Sequence, residues 1–477
     1  MIPPELRAAL TRRAFLGKTA QGVGGVALAS LLGPAASGAP GVLSRLPLPQ
    51  KAKRVIWLSM AGGPSHLETF DPKPKLAEMH GQPMPESFTK GQQLAQLQGQ
   101  KLTCFGPQHK FAKFGRNQIE ICELFPQIGS VIDDVCLIRS MTTDAINHDP
   151  AHMFMNTGSQ IAGRPSMGSW VTYGLGVESE DLPGFVVLTS LGKGGQNQPI
   201  AARQWSSGFL PSKHQGVQLR SKGDPVMYLT NPPGISRDAQ GGDVDAIAAL
   251  NLHRDKVVAD PEVATRIAQY EMAFKMQASV PKLMDMSAED AKTLALYGCV
   301  PGDGSFAANC LLARRLAERG VRFTQLMHSG WDQHNNLTTG QLAQQCLDTD
   351  QASAALVKDL KQRGLLDDTL VVWGGEFGRT PFGQNQQGTG FKGRDHFGRA
   401  YSWWLAGGGV KPGYVHGATD EFGWNITKDR VHIHDMQATL MHLFGINHEG
   451  LLFRYQGRQF RLTDVEGHVV KGILKHA

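Results

Sequence analysis

Short apolar runs that alternate with helical patterns are the feature that most constrains this fold. The runs are apolar on both faces, which is typical of strands buried on both sides of a sheet. They predict strands at residues 55–60, 135–141, 185–190, 321–327, 369–373 and 401–405. Helical periodicity lies at residues 261–278, 307–318, 341–363 and 434–444. The alternation predicts an α/β fold, a three-layer sandwich around a mostly parallel central sheet.

Histidine and acidic side chains stand next to five of these predicted strands. In a doubly wound sheet, ligands bind beyond the carboxyl ends of the strands. One isolated histidine or acid would be ordinary, so the prediction depends on the coincidence of five segments at one sheet edge. Imidazole and carboxylate together indicate a divalent metal, with Zn, Mn or Ca as candidates. The segments contain Ser65 and His66, His148 and Asp149, Asp332 and His334, Glu376 and Arg379, and Asp395 and His396.

The N-terminus resembles a twin-arginine export signal. Arg12 and Arg13 precede Phe15 and Leu16, an apolar stretch covers residues 23–32, and small residues fill 35–39. A charged start, a short apolar middle and a small-residue end are typical of a removable signal. We therefore expect residues 1–39 to be a signal peptide and the protein to reach the periplasm or the exterior. An uncleaved, membrane-tethered form is the alternative.

Composition and charge narrow the class of protein to which residues 40–477 belong. The 477 residues are 41% hydrophobic and carry a formal net charge of +6. The signal contributes four basic residues and one acidic residue, so the remainder carries +3 (6 − 3). No basic patch indicates nucleic acid, and no other stretch is apolar enough to span a membrane. We expect one α/β domain over residues 40–477, with insertions near 72–120 and 191–245. The sequence leaves the oligomeric state open.

Six cysteines lack the C-x-x-C spacing of a structural zinc site. They stand at positions 104, 122, 136, 299, 310 and 346. An oxidising compartment permits disulfides, for example Cys104 with Cys122 or Cys299 with Cys310. Buried free thiols are the other possibility, and the sequence does not decide between them.

The order of motifs is similar to that of the alkaline phosphatase–sulfatase superfamily, and most of all to its bacterial DUF1501 family. The resemblance covers nearly the whole chain after the signal. Its motifs are Gly62-Gly63-Pro64-Ser65-His66, Phe70-Asp71-Pro72-Lys73-Pro74, His148-Asp149-Pro150 to Thr157-Gly158, Trp331-Asp332-Gln333-His334-Asn335, Gly374-Gly375-Glu376-Phe377-Gly378-Arg379, Gly393-Arg394-Asp395-His396-Phe397, His434-Asp435-Met436-Gln437 and Arg454-Tyr455-Gln456-Gly457-Arg458. The resemblance implies an alkaline-phosphatase-like fold with one or two divalent metals.

The resemblance also implies a set of metal ligands. Asp332 and His334 resemble the Asp and His ligand pair of one metal. Glu376 stands where relatives place an aspartate, and Phe377 takes the place of a histidine that often follows it. His396 resembles a late histidine ligand, with Asp395 beside it. His66 lies near the end of the first strand, where relatives have a ligand aspartate.

Three residues are candidates for the catalytic chemistry. The resemblance places the nucleophile close to Asp144, so Thr143 is the first candidate and Ser65 the second. Either hydroxyl would need an adjacent metal for activation. Arg379 either holds an anionic ester oxygen through its two-pronged guanidinium or forms a salt bridge to Glu376. The Cys/Ser-x-Pro-x-Arg motif that becomes formylglycine in sulfatases is absent from the sequence.

Two functions fit this pattern. The first is an exported metal-dependent hydrolase of phosphate or sulfate esters, independent of formylglycine, acting on a small molecule or a polysaccharide ester. The second is a non-catalytic surface or periplasmic binding protein on the same fold. The convergent histidines and acids favour the hydrolase. Phe377, which takes the place of a histidine ligand, and the uncertain nucleophile favour the binding protein. A fold by itself does not decide, because one fold hosts many functions.

Overall fold

The computed structural model describes residues 39–90, 95, 97, 101–198, 200–226, 234–258, 261–335, 337–384 and 392–475. The expected signal peptide lies outside these residues except for Ala39. The described chain forms 17 strands and 12 helices. The strands are β1 Arg54–Met60, β2 Phe111–Phe114, β3 Ile119–Cys122, β4 Val135–Thr142, β5 Phe185–Ser190, β6 Val217–Leu219, β7 Phe323–His328, β8 Thr369–Gly374, β9 Gly378–Gln384, β10 Gly393–Phe397, β11 Tyr401–Ala406, β12 Tyr414–His416, β13 Ala418–Thr419, β14 Ile426–Lys428, β15 Val431–His432, β16 Phe453–Tyr455 and β17 Arg458–Phe460.

The helices range from single turns to rods of more than twenty residues. They are α1 His66–Thr69, α2 Pro74–Glu78, α3 Glu86–Thr89, α4 Pro126–Gly129, α5 His148–Thr157, α6 Met167–Leu175, α7 Arg237–Val258, α8 Pro261–Met284, α9 Ala291–Tyr297, α10 Phe306–Glu318, α11 Gln341–Gln362 and α12 Ile433–Leu443. None of the helices in the described chain is both long and apolar enough to cross a bilayer.

A nine-stranded sheet forms the centre of the molecule, in the order β12-β4-β11-β8-β1-β7-β5-β6, with β15 pairing to β4. β1 pairs in parallel with both β7 and β8. β11 is antiparallel to β4 and to β8. All other pairings in this sheet are parallel, so the sheet is mostly parallel as the sequence predicts.

Both faces of the sheet are covered, which makes the fold a three-layer sandwich. Ile56 and Leu58 of β1 point into one core with α10 and α11. Val55 and Trp57 point into a second core with α6 and α12. Successive residues of a strand face opposite sides, so a strand buried on both sides must be apolar throughout. This is why the central strands read as continuous apolar runs.

Sequence and structure agree closely on the main elements. The strand predicted at 185–190 has the same bounds as β5, and the strand predicted at 321–327 is β7 shifted by one or two residues. The insertion near 191–245 contains regular structure as well as loops, because its strand β6 pairs with β5 and is the last strand on that side of the central sheet. The insertion near 72–120 also contributes to the interior, since Leu76 and Cys104 lie in a buried cluster with Trp424. All six cysteines are buried free thiols, and neither disulfide is formed.

A fully buried ion pair fixes the 72–120 segment to the sheet edge. Both nitrogens Nε and Nη2 of Arg394 donate to Oε1 of Glu68, at 3.1 and 2.6 Å. The backbone N–H of Gln108 donates to Oε2 of the same carboxylate at 2.8 Å. Arg394 and Glu68 are both 0% exposed. The pair therefore joins α1, β10 and the inserted segment in one contact.

Replacing Glu68 with alanine leaves the Arg394 guanidinium buried without its counter-charge. We expect Glu68→Ala to lower the free energy of unfolding by about 3–5 kcal/mol, measured by urea denaturation. Glu78→Ala is the control, because Glu78 pairs with Lys75 on the surface and such pairs contribute less than about 1 kcal/mol. Equal stability of the two variants would contradict a structural role for the buried pair.

Candidate metal centre

One edge of the central sheet gathers the histidine and acidic side chains. β4, β8, β1 and β7 end at this edge, and β11 begins there because it runs antiparallel to β4 and β8. His148 follows β4, Glu376 follows β8, and Asp332 and His334 follow β7. His396 lies on β10, just before β11. The strand order therefore places residues that are distant in sequence next to one another.

Gly62 allows the loop after β1 to lie against the loop that carries Asp332. Gly62 has a φ of +125°, and a Cβ there would stand 2.4 Å from the backbone nitrogen of Asp332. A side chain fits neither the backbone conformation nor the space. The Gly62 N–H also donates to both carboxylate oxygens of Glu376, at 3.0 and 3.2 Å. This glycine thus fixes the distance between the two loops that carry the acids.

Two groups of buried side chains in the described chain bring possible metal-ligand atoms within 4.8 Å of one another. The first group contains three histidines and one aspartate, and the second contains two histidines and one glutamate. His148 belongs to both. The members are His148, Asp332, His334 and His396 in the first group, and His148, His152 and Glu376 in the second.

The Oδ1 atom of Asp332 is the centre of the first group. It lies 2.9 Å from Nε2 of His334, 3.4 Å from Nε2 of His148 and 3.7 Å from Nε2 of His396. The same oxygen accepts a hydrogen bond from Nη2 of Arg379 at 2.6 Å. The other oxygen, Oδ2, accepts from Nε2 of Gln198 at 2.5 Å. Both oxygens of this 3%-exposed carboxylate are therefore engaged.

Each histidine of the first group is held in orientation by a hydrogen bond from Nδ1, the ring nitrogen that does not face Asp332. Nδ1 of His148 is 2.6 Å from Oε1 of Glu376, and Nδ1 of His334 is 2.5 Å from Oε1 of Gln384. Nδ1 of His396 is 3.0 Å from the carbonyl oxygen of Ile146. These oxygens only accept hydrogen bonds, so each Nδ1 carries the proton. In the neutral rings, every Nε2 then presents a lone pair toward Asp332.

The Nε2 lone pairs that converge in the first group form a site suited to a cation. The Nε2 atoms of His334 and His396 are only 2.8 Å apart. Two unprotonated nitrogens and a carboxylate oxygen at such distances repel one another unless a positive ion or a proton lies between them. His152 adds to this, because both of its buried ring nitrogens lack a hydrogen-bond partner among the described residues. The donor set fits a divalent metal, and histidines held by an outer hydrogen bond are typical of metal ligands.

The pKa values follow from burial and from these contacts. Burial lowers the pKa of His396 to about 4 and also lowers that of His152, which keeps both rings neutral at pH 7. Burial opposes ionisation of Asp332, but the Arg379 guanidinium, 2.6 Å from Oδ1, holds the pKa of this carboxyl well below the ordinary value. Burial likewise opposes ionisation of Glu376, and its contacts with His152 and His148 lower the pKa to about 2. Both acids are therefore anionic and able to bind a cation.

Arg379 is part of the centre, but its partner is Asp332 rather than Glu376. Besides the bond to Asp332, Nε donates to the carbonyl of Gly63 at 2.9 Å, and Nη2 also donates to the carbonyl of Gly62. Nη1 lies 3.3 Å from Nε2 of His334. The guanidinium is 1% exposed and uses its donors within the protein. The salt bridge to Glu376 that the sequence left open is not formed.

The structure does not bring His66 or Asp395 to either group. Nε2 of His66, at the start of the short helix α1, hydrogen-bonds to the carbonyl of Gly423 at 3.0 Å. Oδ1 of Asp395 accepts from the backbone N–H of its own neighbour, His396. Both were expected to be ligands, and both lie outside the groups that could hold an ion.

The two hydroxyl candidates form no hydrogen bond with either group in the described part of the chain. Oγ1 of Thr143 accepts from the backbone N–H of Ala145 at 3.5 Å, and the Thr143 N–H donates to Gly398. Ser65 precedes α1, and its buried Oγ has no hydrogen-bond partner in the described part of the chain. Their positions therefore give no sign of activation by the acids and histidines of the centre.

His148, His152 and Gln198 are the residues that the sequence analysis did not assign to the site. His148 lies in one of the five segments and in a motif, but the sequence assigned no role to it or to His152. Their spacing of four residues places both on one face of α5, which was the available signal. Gln198 lies in the 191–245 insertion. Its role could not be predicted from the sequence, because an irregular segment has no periodicity that shows where a side chain points.

The described chain thus forms a mostly parallel sheet between two helical layers, with histidines and acids gathered at one edge. The chain belongs to the family described as "Protein of unknown function (DUF1501)", whose sequence profile matches residues 52–474. This match confirms the family resemblance inferred from the motifs. No curated protein matches the chain.

Solved structures resemble this chain only loosely. Ps i-CgsB is 11% identical with a TM-score of 0.36, and the match covers 83% of this chain and 72% of that one. The lipoteichoic acid synthase LtaP from Listeria monocytogenes is 8% identical with a TM-score of 0.34, covering 91% and 79%. The sulfatase PsFucS1 from Pseudoalteromonas sp. is 13% identical with a TM-score of 0.33, covering 94% and 73%. Structural similarity this weak gives no basis for assigning the roles of residues in those proteins to residues of this chain.

A divalent ion relieves the repulsion between the converging ligand atoms, so it stabilises the folded state. At a free ion concentration 100 times the Kd, we expect the free energy of unfolding to rise by about 2.7 kcal/mol. Thermal unfolding in chelator and in Zn²⁺ or Mn²⁺ measures this rise. The gain is smaller at acidic pH, because the histidines must be deprotonated to bind the ion.

His442→Gln is the matched control for this experiment, since His442 is a half-buried histidine in the last turn of α12, outside both groups. It keeps the wild-type response to the ion, whereas His334→Gln loses it. A wild-type protein whose melting temperature is indifferent to chelator and to both ions argues against a metal centre here.

Proposed function

We propose that this protein is an exported, metal-dependent hydrolase of phosphate or sulfate esters that does not use formylglycine. The observation that carries the proposal is the convergence of three histidine Nε2 atoms on the Asp332 carboxylate. His148 and His396 retain exposed fractions of 9% and 7%, so the centre lies just beneath the surface. A buried metal-ligand cluster that stays near solvent suits an ion that meets a substrate.

The types of ligand atom in the first group narrow the choice of metal ion. The sequence left Zn, Mn and Ca open. Ca²⁺ prefers six to eight oxygen ligands, whereas three imidazoles and one carboxylate suit Zn²⁺ or Mn²⁺. We therefore propose Zn²⁺ or Mn²⁺. When bound, such an ion polarises an ester oxygen and lowers the pKa of a coordinated water.

The protein's own residues hold and neutralise this centre. Glu376 fixes the ring of His148 through Nδ1, and Gln384 fixes that of His334. Arg379 is occupied by Asp332 and by backbone carbonyls, so it offsets negative charge at the site rather than gripping the substrate. We propose water as the attacking group, because no hydrogen bond in the described structure joins the hydroxyl of Thr143 or Ser65 to the acids and histidines of the centre.

Export is part of the proposal and is supported by the sequence alone. The paired Arg12 and Arg13, followed by an apolar stretch and small residues, are typical of the twin-arginine route. That route suits a metal-binding protein, because binding of the ion is coupled to folding.

The metal-loaded protein should hydrolyse an aryl phosphate, a phosphodiester or an aryl sulfate, and chelation should abolish the reaction. We expect His334→Leu and His396→Leu to lower kcat/KM by about 100-fold or more, because each removes an ion ligand. Steady-state assays with chromogenic esters measure this.

Two further variants separate the possible nucleophiles. Thr143→Val and Ser65→Ala are expected to retain most of the activity if water attacks, whereas a loss of about 100-fold in one of them would make that hydroxyl the nucleophile. A protein that binds the ion but hydrolyses none of the three ester classes would be the non-catalytic binding protein instead.

Replacing Arg12 and Arg13 together with lysine should stop export, because the paired arginines are the feature that the twin-arginine route recognises. Cell fractionation measures the outcome, with Lys18→Arg as the charge-conserving control. We expect the double variant to accumulate in the cytoplasm at full length. Equal export of the double variant and the control would contradict the twin-arginine assignment.

A further inference from the structure

We propose that the centre holds one divalent ion rather than two, bound by the first group, with Glu376 and Arg379 in supporting roles. Glu376 is a positioning residue for His148, and Arg379 provides the second positive charge at the site. The proposal rests on the metal dependence in the proposed function, but not on the reaction that the ion supports. It specifies the ligands as His148, Asp332, His334 and His396.

His148 belongs to both groups, and as a neutral ring it can serve only one of them. It faces the first group through Nε2, 3.4 Å from Oδ1 of Asp332. It faces the second group through Nδ1, 2.6 Å from Oε1 of Glu376. A neutral imidazole carries a single lone pair, because its other nitrogen holds the proton. The contact of 2.6 Å with Glu376 is the distance of a hydrogen bond that Nδ1 donates, so the lone pair is on Nε2 and faces the first group.

The first group is complete without the second. It supplies four ligand atoms, and each of its three histidines has an outer partner on Nδ1. Once His148 binds through Nε2, the second group retains only His152 and Glu376. Two ligands are fewer than the three protein ligands of catalytic zinc sites. The second group is thus too small to hold an ion of its own.

Glu376 has the contacts of a carboxylate that orients a ligand. Oε1 is shared by Nδ1 of His148 at 2.6 Å and the N–H of Gly62 at 3.0 Å. Its second oxygen also accepts from Gly62. A carboxylate, a histidine and a metal in series fix the ring orientation and raise the basicity of the ligand nitrogen. Glu376 is 1% exposed, so this orientation is rigidly enclosed.

The formal charges agree with a single ion. Asp332 and Glu376 contribute −2 and Arg379 contributes +1, which gives −1 for the protein part of the centre. One divalent ion brings the total to +1, and two would bring it to +3. An excess of buried like charge is strongly unfavourable. A total of +1 matches one anionic oxygen of an ester, and Arg379, at 2.6 Å from Asp332, stands where a second ion would otherwise offset that carboxylate.

Metal content per chain tests the proposal independently of activity. We expect about one Zn²⁺ or Mn²⁺ per wild-type chain by elemental mass spectrometry, and an isolated rather than a coupled Mn²⁺ signal by electron paramagnetic resonance. His152→Leu should retain one ion, whereas His334→Leu and His396→Leu should lose it. Glu376→Gln should retain the ion with about 10- to 100-fold weaker affinity, because the amide oxygen still accepts from His148. Circular dichroism establishes that each variant is folded.

The opposite pattern overturns the proposal. Two ions per wild-type chain, a coupled pair of Mn²⁺ ions, or loss of the ion in folded His152→Leu would each do so. These results differ from a failure of the proposed function. One ion without ester hydrolysis contradicts the hydrolase and leaves the single-ion centre standing, whereas two ions with hydrolysis does the reverse. A wild-type protein that takes up no ion contradicts both.

Discussion

The carboxylate of Asp332 is the contact on which the rest of the centre depends. Three imidazoles and a guanidinium converge on one of its oxygens, and an amide from the 191–245 insertion occupies the other. A buried carboxylate is stable only when it is paired and hydrogen-bonded. Here the pairing residues come from four separate segments of the chain. Pairing this one buried charge therefore adds to the strand order in holding these loops together.

The direction of a single strand completes this arrangement. β11 is antiparallel within a sheet that is otherwise parallel, so the segment before it arrives at the edge that the parallel strands leave. That reversal places His396 beside His334. Ligands usually bind where parallel strands end, and this fold adds a residue from the start of a reversed strand to the same place.

Much of the fold was predictable from the sequence, because a strand buried on both faces must be apolar at every position. β5 and β8 illustrate this, since their predicted and observed bounds differ by at most one residue. Asp332 and His334 were expected at this edge because they follow a strand that ends there, whereas His396 precedes β11 and reaches the edge because that strand is reversed. His66 lies outside both groups, since proximity to a strand end does not fix the direction of a side chain. His152 and Gln198 were missed, since their roles depend on a helix face and on a loop path.

The thiols described above have a consequence for where the chain can fold. All six are buried, and burial raises the pKa of Cys122 and of Cys136 to about 12, so the reactive thiolate is scarce. A protein stabilised by disulfides must wait for an oxidising compartment before its structure is secure. The interior of this protein is packed with all six thiols reduced, so its folding does not depend on an oxidising compartment.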